Sequence, residues 1–230
     1  MRSPRIAILA SGSGTTAETF IKSVAERKVE GTVVLLMCNN PEATVFDKVK
    51  RLQEEFDLDI TAKHIGKSNF PPSANEEVPY GHQTAAEEKA ILDELKKMKI
   101  DLVLLLGYMK LIGPTIVDQY GWKAEYESVY QAKMINTHPG LLPATKGLFG
   151  LHVQEKVLKD GSKSAGHCMF MVDSHYDDGP VISEHIVQVV PGESPEDLFE
   201  RVKASEKANL ADDLNRFILE QAEYLKVKYR

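Results

Sequence analysis

The sequence predicts an α/β fold: a Rossmann-like, doubly wound and mostly parallel sheet flanked by helices. Two observations predict it. Short, strongly apolar runs recur along the chain, and segments with helical apolar periodicity alternate with them. In sheets of this kind, ligands lie beyond the carboxyl ends of the strands. The polar segments that directly follow the apolar strands are therefore the candidate site.

The first predicted strand, residues 5–10, leads into the glycine turn S-G-S-G-T-T-A-E. Gly12 and Gly14 permit a tight turn, and Thr15 with Glu18 fits a capping box, which predicts that a helix begins here. Backbone amides and hydroxyls at a helix start can bind an anion. The turn has neither the Lys-Ser/Thr of a Walker loop nor a third glycine, which favours a single phosphate group. An ordinary turn between a strand and a helix is the alternative.

The middle of the chain continues the alternation of strands and helices. We expect a strand at residues 32–38, a helix beginning at Asn40-Pro41-Glu42, a strand near residues 60–64, a long surface loop at residues 66–81, a helix at residues 84–98 and a strand at residues 101–106. The segment G-Y-M-K-L-I follows the last of these strands directly. It is the second polar segment expected at the carboxyl edge of the sheet.

The stretch from Met134 to Pro143, M-I-N-T-H-P-G-L-L-P, ends an apolar strand in an amide and an imidazole. Asn136 and His138 are two residues apart, so in an extended chain both side chains point to the same side. A histidine can move protons near neutral pH, and an amide can hold a carbonyl oxygen or an oxyanion. The alternative is a strand end with a structural histidine and an incidental amide.

The last third of the chain supplies further elements and one acidic loop. Residues 121–133 are aromatic and charged, which is compatible with a surface excursion or an oligomer contact. We then expect a short helix ending at Gly161, a strand at residues 166–172, a loop at residues 173–180, a strand at residues 181–190 and a long helix led by Ser194 and Pro195. The loop carries three carboxylates and a histidine, and a plain acidic turn is its alternative interpretation.

Composition limits the function. The 230 residues, 43% of them hydrophobic, support a single domain over residues 1–230, and the net charge of −6 argues against a nucleic-acid or membrane-surface binder. No apolar run approaches a membrane span. The two cysteines, Cys38 and Cys168, lie in apolar strands, so a reducing, cytoplasmic setting is expected. The histidines are scattered, and no metal site is predicted.

The ordered set S-G-S-G-T-T, G-Y-M-K-L-I, N-T-H-P-G-L-L-P, G-L-H and D-S-H-Y-D-D-G-P-V-I resembles the phosphoribosylglycinamide formyltransferases, a folate-dependent family of purine synthesis. The resemblance runs over nearly the whole chain. It implies transfer of a formyl group from 10-formyltetrahydrofolate to the amine of glycinamide ribonucleotide, without a metal, by a monomer or homodimer. A hydrolase, a sugar-amine formyltransferase and a catalytically silent folate- or nucleotide-binding homologue are the alternatives.

The resemblance also implies roles for individual residues. It places the catalytic groups at Asn136, His138 and Asp177, the substrate phosphate at Gly14, Thr15 and Thr16, and the glycinamide part at Lys203 and Glu206. It places the folate at Met109, Lys110, Leu111, Ile112, Asn136, Asp173, Ser174, His175, Tyr176 and Asp177. The Asp177 carboxylate is expected to raise the pKa of His138, because a neighbouring negative charge favours the imidazolium.

The chain also departs from the family pattern. Thr84 stands where many members carry an arginine that reaches the glutamate tail of the folate. Phe170 replaces a histidine that is common in the strand before the acidic loop, and Asp178 replaces the first glycine of the usual D-G-G-P. Additional residues separate Pro143 from Gly150. We therefore expect the catalytic chemistry to match the family and the folate-tail contacts to differ from it.

Overall fold

The computed structural model describes residues 2–228, which build one seven-stranded sheet with helices on both faces. The strands are β1 (Arg5–Ala10), β2 (Thr32–Cys38), β3 (Thr61–His64), β4 (Leu102–Leu105), β5 (Met134–His138), β6 (Ser164–Met171) and β7 (Val181–Gln188). The helices are α1 (Thr15–Ala25), α2 (Val45–Phe56), α3 (Ala85–Lys97), α4 (Pro114–Tyr120), α5 (Leu151–Lys159) and α6 (Pro195–Lys228). None of these helices is both long enough and apolar enough to cross a membrane.

The strands are ordered β3-β2-β1-β4-β5-β6-β7 across the sheet. The four pairings among β1 to β5 are parallel, and the pairings of β5 with β6 and of β6 with β7 are antiparallel. The prediction of a mostly parallel, doubly wound sheet is therefore confirmed. Strands β6 and β7 pair antiparallel because residues 172–180 between them are too few for a crossover, which needs a dozen residues or more.

The central strands are buried on both faces. In β1, Ile6 and Ile8 pack into the layer that contains α1, α2 and α6, whereas Ala7 and Leu9 pack into the layer of α3 and α4. Successive side chains of a strand point to opposite faces, so a strand covered by helices on both sides must be apolar throughout. Cys38 on β2 and Cys168 on β6 are buried free thiols in this core, as their apolar context predicts.

Helix α1 begins at Thr15, where the sequence predicts a helix start, but the cap predicted for it is wrong. Helix α1 has Gly14 at its N-cap in the left-handed region (φ 65°) and no side-chain cap, so the capping box of Thr15 and Glu18 does not form. The Glu18 carboxylate instead pairs with the Lys48 and Arg51 side chains of α2. A local capping signal was thus outcompeted by ion pairs with the neighbouring helix.

Helix α2 begins at Val45 rather than at Asn40-Pro41-Glu42. The Asn40 side-chain oxygen accepts a hydrogen bond from the backbone N–H of Glu42 (3.0 Å), which closes a turn in place of a helical start. Asparagine is common both at helix caps and in such turns, because its side chain mimics a backbone carbonyl. The helix turns an apolar face to the core, since Val45, Val49 and Leu52 are buried.

The aromatic segment at residues 121–133 packs against helix α6 of the same chain. It contains a 3₁₀ turn, Val129–Gln131, and its Tyr130 ring lies 5.5 Å from the Phe217 ring. The Gln221 side-chain amide donates to the backbone carbonyls of Tyr130 and Ala132 (3.0 and 2.9 Å). These contacts hold the segment beside the start of β5, the strand that carries the candidate catalytic pair.

Candidate active site

Three polar segments meet at the carboxyl edge of the sheet. The backbone N–H of Ser11, after β1, donates to the carbonyl of Gly107, after β4 (3.0 Å). The Ser11 hydroxyl oxygen in turn accepts from the N–H of Met109 (2.9 Å). Strand β5 lies beside β4, with Asn136 in register with Leu105. The ends of β1, β4 and β5 therefore form one continuous edge.

His138 lies at the end of β5 with only 4% of its surface exposed. Its Nδ1 atom is 3.7 Å from the Asp177 carboxylate, and its Nε2 atom is 2.9 Å from the Thr145 hydroxyl oxygen. The same Asp177 oxygen accepts a hydrogen bond from the backbone N–H of Gly147 (2.9 Å). The structure thus places a buried imidazole between a carboxylate and a buried hydroxyl, two residues along the strand from the amide of Asn136.

The loop that carries Asp177 is held by its backbone and by an ion pair. Asp177 itself has φ of 50°, in the left-handed region. A Cβ atom at Gly179 would lie 1.7 Å from the carbonyl oxygen of Met171, so only glycine allows the loop to return this close to β6. Asp178, which replaces the usual glycine, pairs with Lys146 and joins this loop to the segment after Pro143. The acidic loop and the segment after Pro143, which both contact His138, are therefore linked to each other.

The pKa of His138 is lower than its ordinary value, contrary to the sequence-based expectation. Burial is the largest cause, because desolvation disfavours the charged ring. Asp177 and the hydrogen bond with Thr145 act in the opposite direction and do not compensate for it. The expectation failed because it counted the charge of Asp177 and could not count the burial of the ring. At neutral pH the imidazole is therefore neutral and able to accept a proton.

The glycine turn at residues 11–16 forms a compact helix start. A Cβ atom at Gly14 would lie 2.2 Å from a methyl group of Val45, so helices α1 and α2 approach this closely only because residue 14 is glycine. Thr15 and Thr16 are the first two residues of α1 and are half-buried. Because no side chain caps this helix, its first N–H groups are available to an anion.

The segment Met109–Ile112 lines the edge beside the acidic loop. The N–H of Leu111 donates to the carbonyl of Gly81 (2.7 Å) and to the Tyr176 hydroxyl oxygen (3.1 Å). Met109 is 48% exposed and Ile112 is buried, whereas the Lys110 side chain points away and pairs with Glu87 of α3. Leu111 is therefore bonded to Tyr176, with Met109 and Ile112 in the same segment, while only the backbone of Lys110 belongs to this wall.

The acidic loop begins with a tight turn and an exposed histidine. The N–H of His175 donates to Asp173 (2.9 Å), and the Ser174 hydroxyl lies 3.2 Å from the His175 ring. Among residues 2–228, Asp173, His175 and Asp178 are the one group with three possible metal-ligating atoms close together, within 4.8 Å. The ion pair of Asp178 with Lys146 and the turn at Asp173 account for this grouping within the chain itself.

Helix α6 brings one of its two predicted residues against the edge. Glu206 is buried, which raises the pKa of its carboxyl group, and a hydrogen bond with the Thr137 side chain of β5 partly opposes this shift. Lys203 pairs instead with Glu200 and lies over the Phe199 ring, 5.1 Å from the ring centre. The structure thus joins Glu206 to the strand of Asn136 and His138, and leaves Lys203 engaged along its own helix.

Several side chains at the edge carried no recognisable sequence signal. Thr145 follows His138 by seven residues and reaches it only because the chain folds back after Pro143. Gln154 on α5 is fully buried and donates to the carbonyl of Pro139 (2.7 Å), directly after His138.

Thr84, at the position of the family arginine, is 1% exposed and caps α3, so its side chain is not available to a ligand.

This fold and edge define a class of protein: an α/β enzyme that holds small molecules beyond the carboxyl ends of its strands and carries an amide, a neutral imidazole and a carboxylate there. Such groups serve acyl-type group transfer, in which an oxygen gains charge and an amine loses a proton. The chain belongs to the formyl transferase family, whose model matches residues 4–214.

Similar proteins are named phosphoribosylglycinamide formyltransferase or glycinamide ribonucleotide transformylase. The curated phosphoribosylglycinamide formyltransferase of Bacillus subtilis is 29% identical over 198 residues, which is 86% of each chain. The crystal structure of glycinamide ribonucleotide transformylase 1 from Geobacillus kaustophilus is 32% identical, with a TM-score of 0.74 and coverage of 94% of this chain and 98% of that one. The phosphoribosylglycinamide formyltransferase of Bacillus halodurans is 30% identical over 93% of this chain and 95% of its own, also with a TM-score of 0.74.

Proposed function

We propose that the protein transfers the formyl group of 10-formyltetrahydrofolate to the amine of glycinamide ribonucleotide. One observation carries the proposal: Asn136, His138 and Asp177 meet at the carboxyl edge of the sheet in a chain that belongs to the formyl transferase family. The relatives that span most of this chain are named for the same reaction. The enzyme class is thus a one-carbon transferase that uses small-molecule substrates.

The chemistry follows from the three side chains. The amine nitrogen attacks the formyl carbon, and the carbonyl oxygen gains negative charge in a tetrahedral intermediate. The Asn136 amide donates a hydrogen bond to this oxygen. The neutral His138 ring accepts the proton that the amine loses, and Asp177 at 3.7 Å stabilises the resulting imidazolium. The proton then passes, directly or through a water, to the departing folate nitrogen as its bond to the formyl carbon breaks.

Residues at the carboxyl edge of the sheet would contact each part of the two substrates. The amides and hydroxyls of Gly14, Thr15 and Thr16 would hold the phosphate of the ribonucleotide at the start of α1. The buried carboxyl of Glu206, beside Thr137, would accept hydrogen bonds from the glycinamide part. Lys203 would serve this part only after leaving Glu200.

The folate would lie along the wall of Met109 to Ile112, under the loop of Asp173, Ser174, His175 and Tyr176. Tyr176 supports this placement, because its hydroxyl bonds both the Gly81 carbonyl and the Leu111 N–H and so joins the loop to the wall. We further propose that the transfer needs no metal, since the three side chains supply the donor, the base and the counter-charge. A cytoplasmic monomer or homodimer is also proposed, and the two free thiols support the reducing compartment.

A single assay tests the proposed function against hydrolysis and silent binding. The protein is incubated with a 10-formylfolate in the presence and absence of glycinamide ribonucleotide, and release of the deformylated folate is followed. We expect release only with the ribonucleotide, and loss of that release in His138→Ala with unchanged folding. Release without the ribonucleotide would indicate a hydrolase, absence of release would indicate a silent binder, and normal turnover of His138→Ala would refute the assignment of His138.

A further inference from the structure

We propose that Thr145 is a positioning residue for the formyl transfer: it fixes His138 in the tautomer that carries its proton on Nε2, so that the Nδ1 lone pair faces Asp177. The catalytic consequence rests on the proposed function. The tautomer is a property of the free protein and can be measured without substrates.

Thr145 places a buried hydroxyl within hydrogen-bond distance of the histidine ring. Only 3% of the residue is exposed. Its Oγ1 atom lies 2.9 Å from His138 Nε2, and its hydroxyl donates to the carbonyl oxygen of Leu141 (3.1 Å). One oxygen atom thus meets the ring on one side and a backbone acceptor on the other.

The proton count at this oxygen determines the tautomer. A threonine hydroxyl has one proton to donate, and the Leu141 carbonyl can only accept. If the hydroxyl donates to Leu141, the contact with Nε2 is a hydrogen bond only when the ring nitrogen is the donor. Both buried contacts are therefore satisfied together when Nε2 carries the proton, and satisfaction of buried polar groups is the rule in folded proteins.

Gly140 leaves room for the Thr145 hydroxyl to reach His138. A Cβ atom at Gly140 would lie 2.2 Å from Thr145 Oγ1 and 2.8 Å from a methyl group of Val153. Gly140 therefore allows the segment after His138 to fold back so that Thr145 reaches the ring. Gln154, which donates to the carbonyl of Pro139, holds the same turn from the side of α5.

The Nε2 tautomer gives the proposed reaction its base. In a neutral ring with the proton on Nε2, the free lone pair is on Nδ1, the atom 3.7 Å from the Asp177 carboxylate. The proton that the attacking amine loses reaches Nδ1 through a water or the Asp177 carboxylate, and the imidazolium then has one N–H toward Thr145 and one toward Asp177. In the other tautomer the lone pair would point at the Thr145 hydroxyl, away from Asp177.

Replacing Thr145 with valine should reverse the tautomer. Valine has nearly the same shape but cannot accept a hydrogen bond, so Asp177 becomes the remaining acceptor for the ring and the proton moves to Nδ1. We expect kcat of Thr145→Val to fall by about 10²- to 10⁴-fold, the contribution of a general base, with KM changed little. Thr145→Ser, which keeps the hydroxyl, should recover most of the lost turnover.

Nitrogen NMR of the imidazoles is the direct test, at a pH above the titration of His138. The His138→Ala variant assigns the resonance, and Thr61→Val on the edge strand β3 is the control for a Thr-to-Val change away from His138. We expect protonated Nε2 in the wild type, Thr61→Val and Thr145→Ser, and protonated Nδ1 in Thr145→Val. Protonated Nδ1 in the wild type, or an unchanged tautomer in a folded Thr145→Val, would overturn the proposal.

The two proposals fail in different ways. If the wild type shows the Nε2 tautomer but transfers no formyl group to the ribonucleotide, the proposed function fails and the role of Thr145 in the transfer fails with it. If transfer occurs while the wild-type ring is protonated on Nδ1, the proposed function stands and the positioning role is refuted. Should Thr145→Val not fold, the wild-type spectrum and the Thr145→Ser spectrum still decide the tautomer.

Discussion

Asn136 is the residue that the proposed mechanism uses to hold the developing oxyanion. It lies on β5 between Leu105 of β4 and Phe170 of β6, and this position in the sheet fixes its backbone. A preorganised donor at such a point lowers the barrier without affecting substrate binding, because the oxygen gains its charge only in the transition state.

Replacing Asn136 with alanine should therefore reduce kcat by about 10²- to 10³-fold and leave KM little changed, the loss measured for single oxyanion donors. Steady-state kinetics of formyl transfer give both values. Asn215→Ala is the matched control, because the Asn215 side-chain oxygen accepts a hydrogen bond from the exposed backbone N–H of Glu30 and is not part of the site. A KM effect without a kcat effect would assign Asn136 to binding instead.

His167 on β6 is a buried histidine outside the catalytic pair. Its Nε2 atom lies 3.0 Å from the Ser205 hydroxyl, and its ring stacks on that of His185, with 4.9 Å between ring centres. Burial, followed by the neighbouring His185, lowers the pKa of His167 from 6.5 to about 4. Between these two values the unfolded chain binds a proton that the folded chain does not.

The free energy of unfolding should therefore fall as the pH drops from 6.5 to about 4, and His167 should contribute about 3 kcal/mol to that fall. Urea unfolding at several pH values measures it. His167→Gln, which keeps a hydrogen-bonding group, should flatten the slope over this window. His152→Gln, at an exposed position on α5, should leave it unchanged. Equal slopes in His167→Gln and the wild type would contradict the prediction.

At the residue scale, the sequence predicted which catalytic residues meet better than it predicted how deeply they are buried. Asn136 and His138 could be paired because two residues of one strand share a side, and Asp177 came from a recognisable motif. The direction of the His138 pKa could not be predicted, since it depends on the burial of the ring. Thr145 could not be found either, because its contact with His138 depends on the turn that Gly140 allows.

Among the elements, helix α3 has the most complete cap. The Thr84 hydroxyl oxygen accepts from the N–H of Glu87 (2.9 Å), and the Glu87 carboxylate accepts from the N–H of Thr84 (2.7 Å). The same hydroxyl donates to the carbonyl of Phe70 (2.8 Å), which fixes the first part of the long loop at residues 66–81 to the helix. Thr84 thus has a structural use at the position where the family arginine is expected.

Replacing Thr84 with valine should destabilise the protein by about 2 kcal/mol, because the cap and the bond to Phe70 are both lost in a buried site. The midpoint of urea unfolding reports this change. Thr84→Ser keeps the hydroxyl and is the matched control, with an expected loss well below that of valine. A valine variant as stable as the wild type would show that the cap does not contribute.

The sequence predicted most elements, misplaced the start of α2 and predicted a capping box for α1 that does not form. Strands and apolar helix faces were predictable because periodicity reflects burial directly, as the buried stripe of α6 illustrates. Helix caps were less predictable, because the signal at Asn40 serves equally in a turn and the signal at Thr15 and Glu18 loses to ion pairs with another helix. Glu18 shows the cause: its tertiary partners Lys48 and Arg51 lie on another helix, more than two dozen residues away in the sequence.

At the scale of the whole molecule, the parallel part of the sheet determines the site. Strands β1, β4 and β5 are neighbours, so the segments that leave their carboxyl ends meet at one edge. The acidic loop leaves antiparallel β6 beside the start of β5, where Met171 pairs with Ile135, and folds back so that Asp177 reaches His138. The parallel strands were predicted from alternation with helices, whereas the direction of β6 was not. That residues 1–230 form a single domain stays a prediction.

The fate of the formyl group tests the central claim most directly. The protein is given 10-formyltetrahydrofolate with an isotopically labelled formyl carbon together with glycinamide ribonucleotide, and the products are analysed by mass spectrometry. We predict that the label appears on the amine of the ribonucleotide, and that Asp177→Asn slows this transfer by about 10²-fold or more. Label recovered as free formate, or retained on the folate, would contradict the account.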